Sequence, residues 1–319
     1  MPTRAPIAIS LGDPAGIGPE VVARALAVRS EIDVRVYGDP LVLAHAADAA
    51  GVARVRPEAI RAVTSLTPAD VAPGAPNDAS GRAQLAYLEA ATNDVLAGAA
   101  SALVTAPISK EWIARAGFAF PGHTEYLAAR AATGEFAMML AGPRLRVVVA
   151  TTHVALRDVP RLLTPAGIAS TIALTAEALA RRFRIDSPRV AVAGLNPHAG
   201  EAGRFGDEEA RLVVPAIAEA RARLEKSGVV ARVSGPHVPD VVFRQAANGA
   251  FDAVVALYHD QGLIPVKLLH FDEAVNVTLG LPFVRTSPDH GTAFDIAASF
   301  AAKPDSFLAA LDLAASLVR

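Results

Sequence analysis

Short runs of Val, Ile, Leu and Ala alternate along the chain with longer segments in which apolar residues recur at helical spacing. This alternation is typical of buried parallel strands joined by crossover helices, so the sequence predicts an α/β fold. The predicted strands lie near residues 6–11, 33–37, 101–105, 145–150, 189–193, 229–233, 252–257 and 274–279. The predicted helices lie near residues 19–29, 80–97, 124–132, 165–183, 207–226, 239–248, 291–302 and 305–318. Ser80 is expected to cap the second helix, and Pro165 suits the first turn of the fourth.

The length of the chain leaves room for two α/β lobes with a cleft between them. Its 319 residues exceed the roughly 250 to 300 at which single cores stop growing. The sequence contains no low-complexity linker and no repeat at a fixed period, so a boundary has to lie within the α/β alternation. We expect a first lobe of residues 1–125 plus 255–319, and a second lobe of residues 126–254 that carries metal ligands and dimer contacts.

Composition excludes several classes of function. A formal net charge of -2 provides no positive field for a nucleic acid. The absence of cysteine excludes disulfides, thiolate zinc sites, iron–sulfur clusters and Cys nucleophiles, so any soft metal has to rest on histidine. Mean hydropathy is +0.33, yet charges interrupt every apolar run well before the roughly 20 residues of a spanning helix. The expected location is the cytoplasm, with no membrane partner.

Histidines follow three of the predicted strands, where α/β sheets bind their ligands. His153, His198 and His259 hold these positions. Imidazole suits Zn, Co, Ni or Fe, and a catalytic metal needs three protein ligands with one open position. The alternative is that each is a buried histidine bonded to backbone. Their shared position after strands favours a metal site.

Two further strand ends carry polar or flexible residues. Asp260, beside His259, could orient that ring or accept a proton, and the alternative is a solvated loop carboxylate. Residues 12–20 form a glycine-rich strand-to-helix turn with Pro19 at the helix start, whose N–H groups could bind an anion. Because the turn contains neither G-x-G-x-x-G nor G-x-x-x-x-G-K-[ST], a simple tight turn explains it equally well.

Candidate anion-binding residues lie in two other regions. His123 and Thr124 precede a short apolar helix, and Thr124 at its N-cap could bind phosphate or only cap the helix. Lys267, Asn276 and Arg285 recur at nine-residue intervals around an apolar strand. Arginine suits bidentate binding of carboxylate or phosphate, although surface placement is the ordinary alternative. The Gly-containing loop at residues 286–297 opens a helix, a geometry that could take a dinucleotide.

Six strings, in order between residues 12 and 297, resemble the signature blocks of the 4-hydroxythreonine-4-phosphate dehydrogenases. The strings are GDPAGIGPE, GHTEYLA, TTHVALRDVP, GLNPHAGEAGRFGDEE, YHDQGLIPVK and VNVTLGLPFVRTSPDHGTAFDIA. The resemblance implies an isocitrate/isopropylmalate dehydrogenase-like fold and a homodimer whose partner subunit completes the substrate cleft. It also implies metal-assisted, NAD- or NADP-dependent oxidation of 4-phosphooxy-L-threonine, followed by decarboxylation, in pyridoxal phosphate (vitamin B6) biosynthesis.

The resemblance also implies roles for individual residues. The metal, one Zn, Co or Mg ion per site, would be held by His153, His198 and His259, the last from the other subunit. The substrate would contact His123, Thr124, Lys267, Asn276 and Arg285. The cofactor would contact Asn196, Asp289, His290, Gly291, Thr292 and Asp295. Asp260 and Lys267 are the candidates for the catalytic base.

One departure from the family pattern keeps rivals open. Asp240 is followed by Val241, where the pattern has Asp followed by Thr. A branch of the same family oxidises 4-phospho-threonate or 4-phospho-erythronate with the same main blocks, and this chain could belong to it. Rivals from other classes are a phosphotransacetylase-like acyltransferase and a metallohydrolase that activates water with the same histidines.

Overall fold

The structure is a computed structural model that describes residues 5–67 and 70–318. The strands are β1 Ile7–Ser10, β2 Val34–Gly38, β3 Ile60–Ala62, β4 Ala102–Thr105, β5 Ala137–Ala141, β6 Arg146–Val149, β7 Arg189–Ala193, β8 Arg232–His237, β9 Ala253–Ala256, β10 Val275–Leu279 and β11 Val284–Pro288. The α-helices are α1 Gly18–Val28, α2 Pro40–Ala49, α3 Asp78–Leu96, α4 Lys110–Arg115, α5 His123–Arg130, α6 Val159–Leu162, α7 Pro165–Arg181, α8 Val214–Lys226, α9 Pro239–Ala247, α10 His259–His270, α11 Phe294–Ala297 and α12 Asp305–Leu317.

The chain forms two compact units. The first comprises Met1–Gly134 and Leu281–Arg319, and the second comprises Glu135–Gly280. These bounds differ from the expected lobes mainly at residues 255–280, which belong with the second unit. Hydrogen bonding explains the difference, because β9 pairs with β6 and β7, and β10 pairs with β5. Residues 1–4 and 319, which the expected first lobe included, lie outside the described residues.

The first unit contains parallel strands in the order β3-β2-β1-β4-β11. Strands β1 and β4 are buried at every position, which accounts for their unbroken apolar sequence. Helices cover this sheet through a core that includes Tyr37, Leu88, Leu103, Ile113 and Leu127. The prediction of buried parallel strands is therefore confirmed in this unit.

The second unit has strands in the order β10-β5-β6-β9-β7-β8. The pairs from β6 to β8 are parallel, whereas β5 is antiparallel to both of its neighbours. The parallel strands β6, β9 and β7 are consecutive in this order. Their carboxyl ends therefore meet along one edge of the sheet, where the three predicted metal ligands follow.

Several predicted elements are corrected by the structure. The predicted strand at 229–233 is β8, Arg232–His237, and the predicted helix at 291–302 shrinks to α11. Left-handed backbone at Ala293 (φ 43°) and Phe300 (φ 49°) interrupts that segment on both sides of α11. Strands β3, β5 and β11 and helices α2, α4, α6 and α10 were not predicted.

The start of α3 is capped three residues earlier than predicted. Asn77, not Ser80, is the N-cap: its Oδ1 accepts from the N–H groups of Ala79 and Ser80 at 2.9 and 3.0 Å. Ser80 Oγ in turn accepts from the Asn77 N–H at 3.1 Å, which completes a reciprocal capping box. The expected first-turn position of Pro165 is confirmed, behind the N-cap Thr164.

Replacing Asn77 with Ala should lower the free energy of unfolding by about 1 to 2 kcal/mol, because two first-turn N–H groups lose their acceptor. Urea unfolding followed by circular dichroism measures the change. The control is Asn77→Asp, which keeps an acceptor at the positive end of the helix and should keep most of the stability. Equal unfolding midpoints for Asn77→Ala and the parent would contradict the capping role.

No single helix within the described residues is long and apolar enough to cross a membrane. The segments Leu156–Leu162 and Pro165–Arg181 reach that length and composition only when taken together, and they are bent by 93°.

Candidate active site

The three predicted metal ligands follow consecutive strands of the second unit. His153 lies four residues after the end of β6, His198 lies five residues after β7, and His259 is the first residue of α10, after β9. Since β6, β9 and β7 are parallel neighbours, all three histidines lie at the same edge of the sheet. The predicted position of these histidines after strands is therefore confirmed.

Two of these histidines are close enough to share one metal ion. The ring centroids of His153 and His259 are 5.5 Å apart. Two imidazoles on one tetrahedral ion place their centroids on the order of 5 Å apart, so this pair fits two ligands of a single metal. Within the described residues, no group of three or more His, Cys, Asp or Glu side chains is arranged to hold an ion. The structure does not bring His198 to this pair; its ring lies 6.0 Å from that of Phe205.

Asp260 fixes the orientation of the His259 ring. The Nδ1 atom of His259 lies 2.7 Å from Asp260 Oδ1. A carboxylate that accepts a hydrogen bond from Nδ1–H leaves Nε2 of the same ring with a lone pair for a metal. The Asp260 side chain is 73% exposed, so it is accessible to solvent as well.

His198 belongs to a left-handed turn that the sequence did not reveal. Residues 198–202 have φ values of 54°, 52°, 80°, 42° and 55°, and only the third is glycine. Left-handed backbone costs a non-glycine residue about 1 to 2 kcal/mol, so other contacts have to hold the turn. The buried carboxylate of Glu209 anchors the residues just before the turn, because its Oε1 accepts from the N–H groups of Leu195 and Asn196 at 2.8 and 2.7 Å.

Asn196, a predicted cofactor contact, is engaged within this loop. Its Nδ2 donates to Glu208 Oε2 at 2.8 Å and to Glu209 Oε2 at 3.1 Å. The side-chain nitrogen of Asn196 therefore donates its hydrogen bonds to residues of the same loop region. Glu209 is the last residue of the string GLNPHAGEAGRFGDEE, but no role was predicted for it, because its contact with Asn196, thirteen residues earlier, arises only in the folded chain.

In the first unit, α5 presents an uncapped amino end. His123 is the first residue of α5 and Thr124 the second, so the predicted N-cap at Thr124 is corrected to Gly122. Gly122 has no side chain to cap the helix, and the first helical hydrogen bond runs from Tyr126 N to Gly122 O. The N–H groups of residues 123–125 therefore have no helical acceptor, and such groups at the start of a helix can bind an anion.

Basic side chains gather beside this helix end. Arg285 in β11 is 3% exposed, and its Nη2 donates to Thr105 Oγ1 at 2.7 Å. Burial lowers the pKa of Arg285 to about 10, against the opposing effect of the nearby Glu125. Burial first, and then the positive charges of Arg285 and Lys110, hold the pKa of His123 well below 6.5. Lys110 was not among the predicted site residues, although it follows β4 at the same edge of the sheet.

Neutral His123 should make stability depend on pH. Its pKa in the folded chain is lowered, so below pH 6.5 the unfolded chain takes up a proton that the folded chain does not. Stability should be fully present above that pH and fall by up to about 1.4 kcal/mol per pH unit below it. Unfolding of His123→Gln in urea at several pH values should show a flatter dependence. An equal slope in the variant and the parent would contradict the assignment.

The remaining predicted substrate residues lie in the second unit. Lys267 is half-buried on α10. Asn276 lies in β10, and its Oδ1 is buried without a hydrogen-bond partner in the described part of the chain. The predicted substrate set is thus divided between the units, with His123, Thr124 and Arg285 in the first.

The predicted cofactor loop packs on the glycine-rich turn of the first unit. Thr292 O accepts from Ile17 N at 2.9 Å, and a Cβ on Gly16 would lie 2.9 Å from the same Thr292 oxygen. Asp289 N donates to Ser306 Oγ at 3.3 Å, and His290 Nε2 is buried with no partner in residues 5–67 and 70–318. Gly291 and Asp295 belong to the same loop. Glycine at position 16 is what permits this close approach.

Solved structures of known enzymes share this fold. A β-decarboxylating dehydrogenase from Thermococcus kodakarensis matches 98% of this chain and 82% of its own, with 15% identity and a TM-score of 0.51. EutD phosphotransacetylase from Staphylococcus aureus matches 97% of this chain and 94% of its own, with 16% identity and a TM-score of 0.56. At these identities the likeness concerns the fold alone. The chain therefore has the predicted isocitrate/isopropylmalate dehydrogenase-like fold.

Closer relatives define the family. The profile of the pyridoxal phosphate biosynthetic protein PdxA matches residues 27–314. A 4-hydroxythreonine-4-phosphate dehydrogenase from Desulfosudis oleivorans is 52% identical over 97% of this chain and 94% of its own. The crystal structure of one from Klebsiella pneumoniae has 41% identity and a TM-score of 0.88, over 99% of this chain and 98% of that chain. The chain belongs to the PdxA family of oxidoreductases, which confirms the resemblance.

Proposed function

We propose that the chain oxidises 4-phosphooxy-L-threonine with NAD or NADP and a divalent metal. The observation that carries this proposal is the pair of rings, His153 and His259, 5.5 Å apart at neighbouring strand ends in a chain of the PdxA family. The product, 2-amino-3-oxo-4-phosphooxybutanoate, is a β-keto acid. It decarboxylates to 3-amino-2-oxopropyl phosphate, which places the reaction in pyridoxal phosphate biosynthesis.

The proposed metal site rests on His153 and His259, with His198 as the third ligand. Three imidazoles favour Zn or Co over Mg, because Mg prefers oxygen ligands. A metal held there would lower the pKa of the substrate hydroxyl, and a nicotinamide cofactor would supply the hydride acceptor. Asp260 contributes by holding the His259 ring in one orientation.

Substrate anions would be bound by the basic cluster of the first unit. Arg285 is held by Thr105 and retains its charge at neutral pH, since its pKa is about 10. The N–H groups at the start of α5, including that of Thr124, would donate hydrogen bonds to the phosphate, with neutral His123 beside them. Lys267 and Asn276 are the proposed contacts from the second unit.

Proton transfer and cofactor binding complete the proposed site. Asp260 and Lys267 are the candidates for the base that removes the hydroxyl proton. The loop at residues 286–297 would hold NAD or NADP without a Rossmann fingerprint. Its proposed contacts are Asp289, His290, Gly291, Thr292 and Asp295, with Asn196 from the second unit.

The test is an absorbance assay for reduced nicotinamide with three substrates, each with and without added metal. The substrates are 4-phosphooxy-L-threonine, 4-phospho-threonate and 4-phospho-erythronate. Reduction that depends on metal with the first substrate supports the proposal. Reduction with only the second or third would assign the chain to that other branch, the alternative left open by Val241 after Asp240. No reduction with any of them would return the acyltransferase and the metallohydrolase to consideration.

We also propose that two copies of the chain form a homodimer in the cytoplasm. Helix α10 leaves large apolar side chains in solvent: Ile264 is 65% exposed, Leu268 84%, and Phe271, which follows the helix, 75%. Contiguous apolar surface of this kind marks an interface more often than free surface. Because His259 begins the same helix, a second copy on this face would lie next to the metal ligands.

Mixing inactive variants should restore activity if sites are shared between copies. His153 and His259 are neighbours in one chain, whereas the family resemblance implies that His259 comes from the partner. We therefore propose two mixtures: His153→Ala with His198→Ala, and His153→Ala with His259→Ala. In a random mixture the hybrid dimers retain one complete site, so one of the mixtures should recover about a quarter of the parental activity. Which mixture recovers identifies the ligand from the partner, and recovery in neither contradicts shared sites.

A further inference from the structure

Glu209 is a buried carboxylate whose hydrogen bonds all go to one short loop. It is 5% exposed, and it forms no ion pair within residues 5–67 and 70–318. Its Oε1 accepts from the N–H groups of Leu195 and Asn196, and its Oε2 accepts from Asn196 Nδ2 at 3.1 Å. A buried carboxylate without a cation is costly unless several donors satisfy it. Glu209 is therefore tied to the segment that leads into the left-handed turn.

The same carboxylate packs against the middle of the turn. A Cβ on Gly200 would lie 2.6 Å from Glu209 Oε2, and a Cβ on Gly194 would lie 3.2 Å from Oε1. Only glycine suits position 200, where φ is also 80°. His198 lies in the chain between these two glycines. Glu209 thus contacts the loop on both sides of the residue that the proposed function assigns to the metal.

The backbone at Glu209 departs from a regular α-helix. Glu209–Val213 form a π-helix that runs directly into α8. A π-helix holds one more residue per hydrogen-bonded turn than an α-helix, which rotates the residues before it by about 100° around the helix. Such segments are rare and are frequent at functional sites. The orientation of Glu209 toward the loop therefore depends on an irregular piece of helix, which an ordinary structural carboxylate does not require.

We propose that Glu209 is a positioning residue, which holds the left-handed turn at residues 198–202 so that His198 can serve as the third metal ligand. This inference rests on the proposed function, because it assumes that His198 binds the metal. Four residues of the turn are not glycine and have left-handed backbone, which an unrestrained loop would abandon. Without Glu209 the metal would have to order the loop as it binds, and the lost entropy would weaken its affinity.

The first test uses the metal-free chain and measures hydrogen–deuterium exchange by mass spectrometry. In Glu209→Ala the amides of residues 195–202 should exchange at least about tenfold faster than in the parent, because the loop loses its acceptor. Glu209→Gln keeps one acceptor oxygen and should lie between the two. The matched control is Glu219→Ala, which removes a carboxylate of α8 that pairs with Arg223, and it should exchange as the parent does. Equal exchange in Glu209→Ala and the parent would overturn the proposal.

The second test measures metal affinity, by titrating Co²⁺ into the metal-free chain and following its visible absorption. Glu209→Ala should weaken Co²⁺ binding by about 10- to 100-fold, the usual effect of removing a group that orients a ligand. Glu209→Gln should recover part of the loss, and it replaces Glu209→Ala in the comparison where the Ala variant does not fold. Glu219→Ala should bind as the parent does. Parental affinity in a folded Glu209 variant that exchanges faster would show a structural role only and overturn the proposal.

A double variant tests whether Glu209 acts through His198. In the His198→Ala background, Glu209→Ala should weaken Co²⁺ binding by less than about twofold, because the ligand that it positions is gone. Losses of equal factor in the presence and absence of His198 would overturn the proposal. A parent that shows the expected coupling but reduces no nicotinamide with any of the three substrates would contradict the proposed function alone.

Discussion

Replacing Arg285 with Ala should lower kcat/KM for the phosphorylated substrate by about 30- to 1000-fold, or about 2 to 4 kcal/mol. Arg285 is buried, held by Thr105, and adjacent to the uncapped start of α5, so its charge is poorly screened by water. The KM for the substrate should rise far more than the KM for the cofactor. Arg285→Lys should recover only part of the loss, because an ammonium group lacks the two-pronged geometry of a guanidinium.

The control for this prediction is Arg115→Ala, which removes an exposed arginine of the same unit from α4. It should stay within a few-fold of the parent for both ligands. The melting temperature of Arg285→Ala shows whether a loss of activity comes from a lost substrate contact or from unfolding, because the buried Arg285 also contributes to packing. Kinetic constants for Arg285→Ala that match those of the control would remove Arg285 from the substrate site.

Replacing His153 or His259 with Ala should abolish metal retention and lower turnover by more than about 100-fold. Under the proposed function the two rings, 5.5 Å apart, share one ion, so removing either should leave a site too weak to hold it. Metal content after gel filtration, measured by mass spectrometry, gives the first result, and the assay with added metal gives the second.

The control for the metal site is His237→Gln in the same unit. His237 Nε2 lies 2.8 Å from Ser234 Oγ, and its ring packs at a tilt against Phe251, with centroids 5.0 Å apart. This variant should retain the metal content of the parent. Full activity of the His153 and His259 variants after exhaustive chelation would rule out a catalytic metal at these residues.

Most of the fold could be predicted because buried strands have apolar sequences and long helices have caps and periodicity. The missed elements break those rules for identifiable reasons. Strand β11 is buried at all five positions, yet it contains Arg285, Thr286 and Ser287, so hydropathy does not reveal it. Helix α10 contains Gly262 and Pro265, which favour a loop in any reading of the sequence alone.

The candidate site could be predicted as a set of residues but not as an arrangement. Polar residues after strands identify His153, His198 and His259 because carboxyl ends of parallel strands share an edge. The proximity of His153 and His259 depends on the pairing of β6 with β9, although β7 and β8 lie between these strands along the chain. Lys110 was not predicted for the same reason. Its charge acts on the pKa of His123 only because the fold places the residues after β4 close to α5.

The left-handed turn at residues 198–202 holds His198, the proposed third metal ligand, at a cost to the stability of the second unit. Four of its residues are not glycine, and their left-handed conformation has a combined cost of about 4 to 8 kcal/mol. Whole domains are stable by only about 5 to 15 kcal/mol. A substitution that let the turn adopt right-handed backbone would therefore remove this strain and raise the stability, while moving His198. Screens that rank variants by melting temperature would favour such changes. Under the proposed function they would thereby select variants in which His198 is displaced from the metal site and activity is lost.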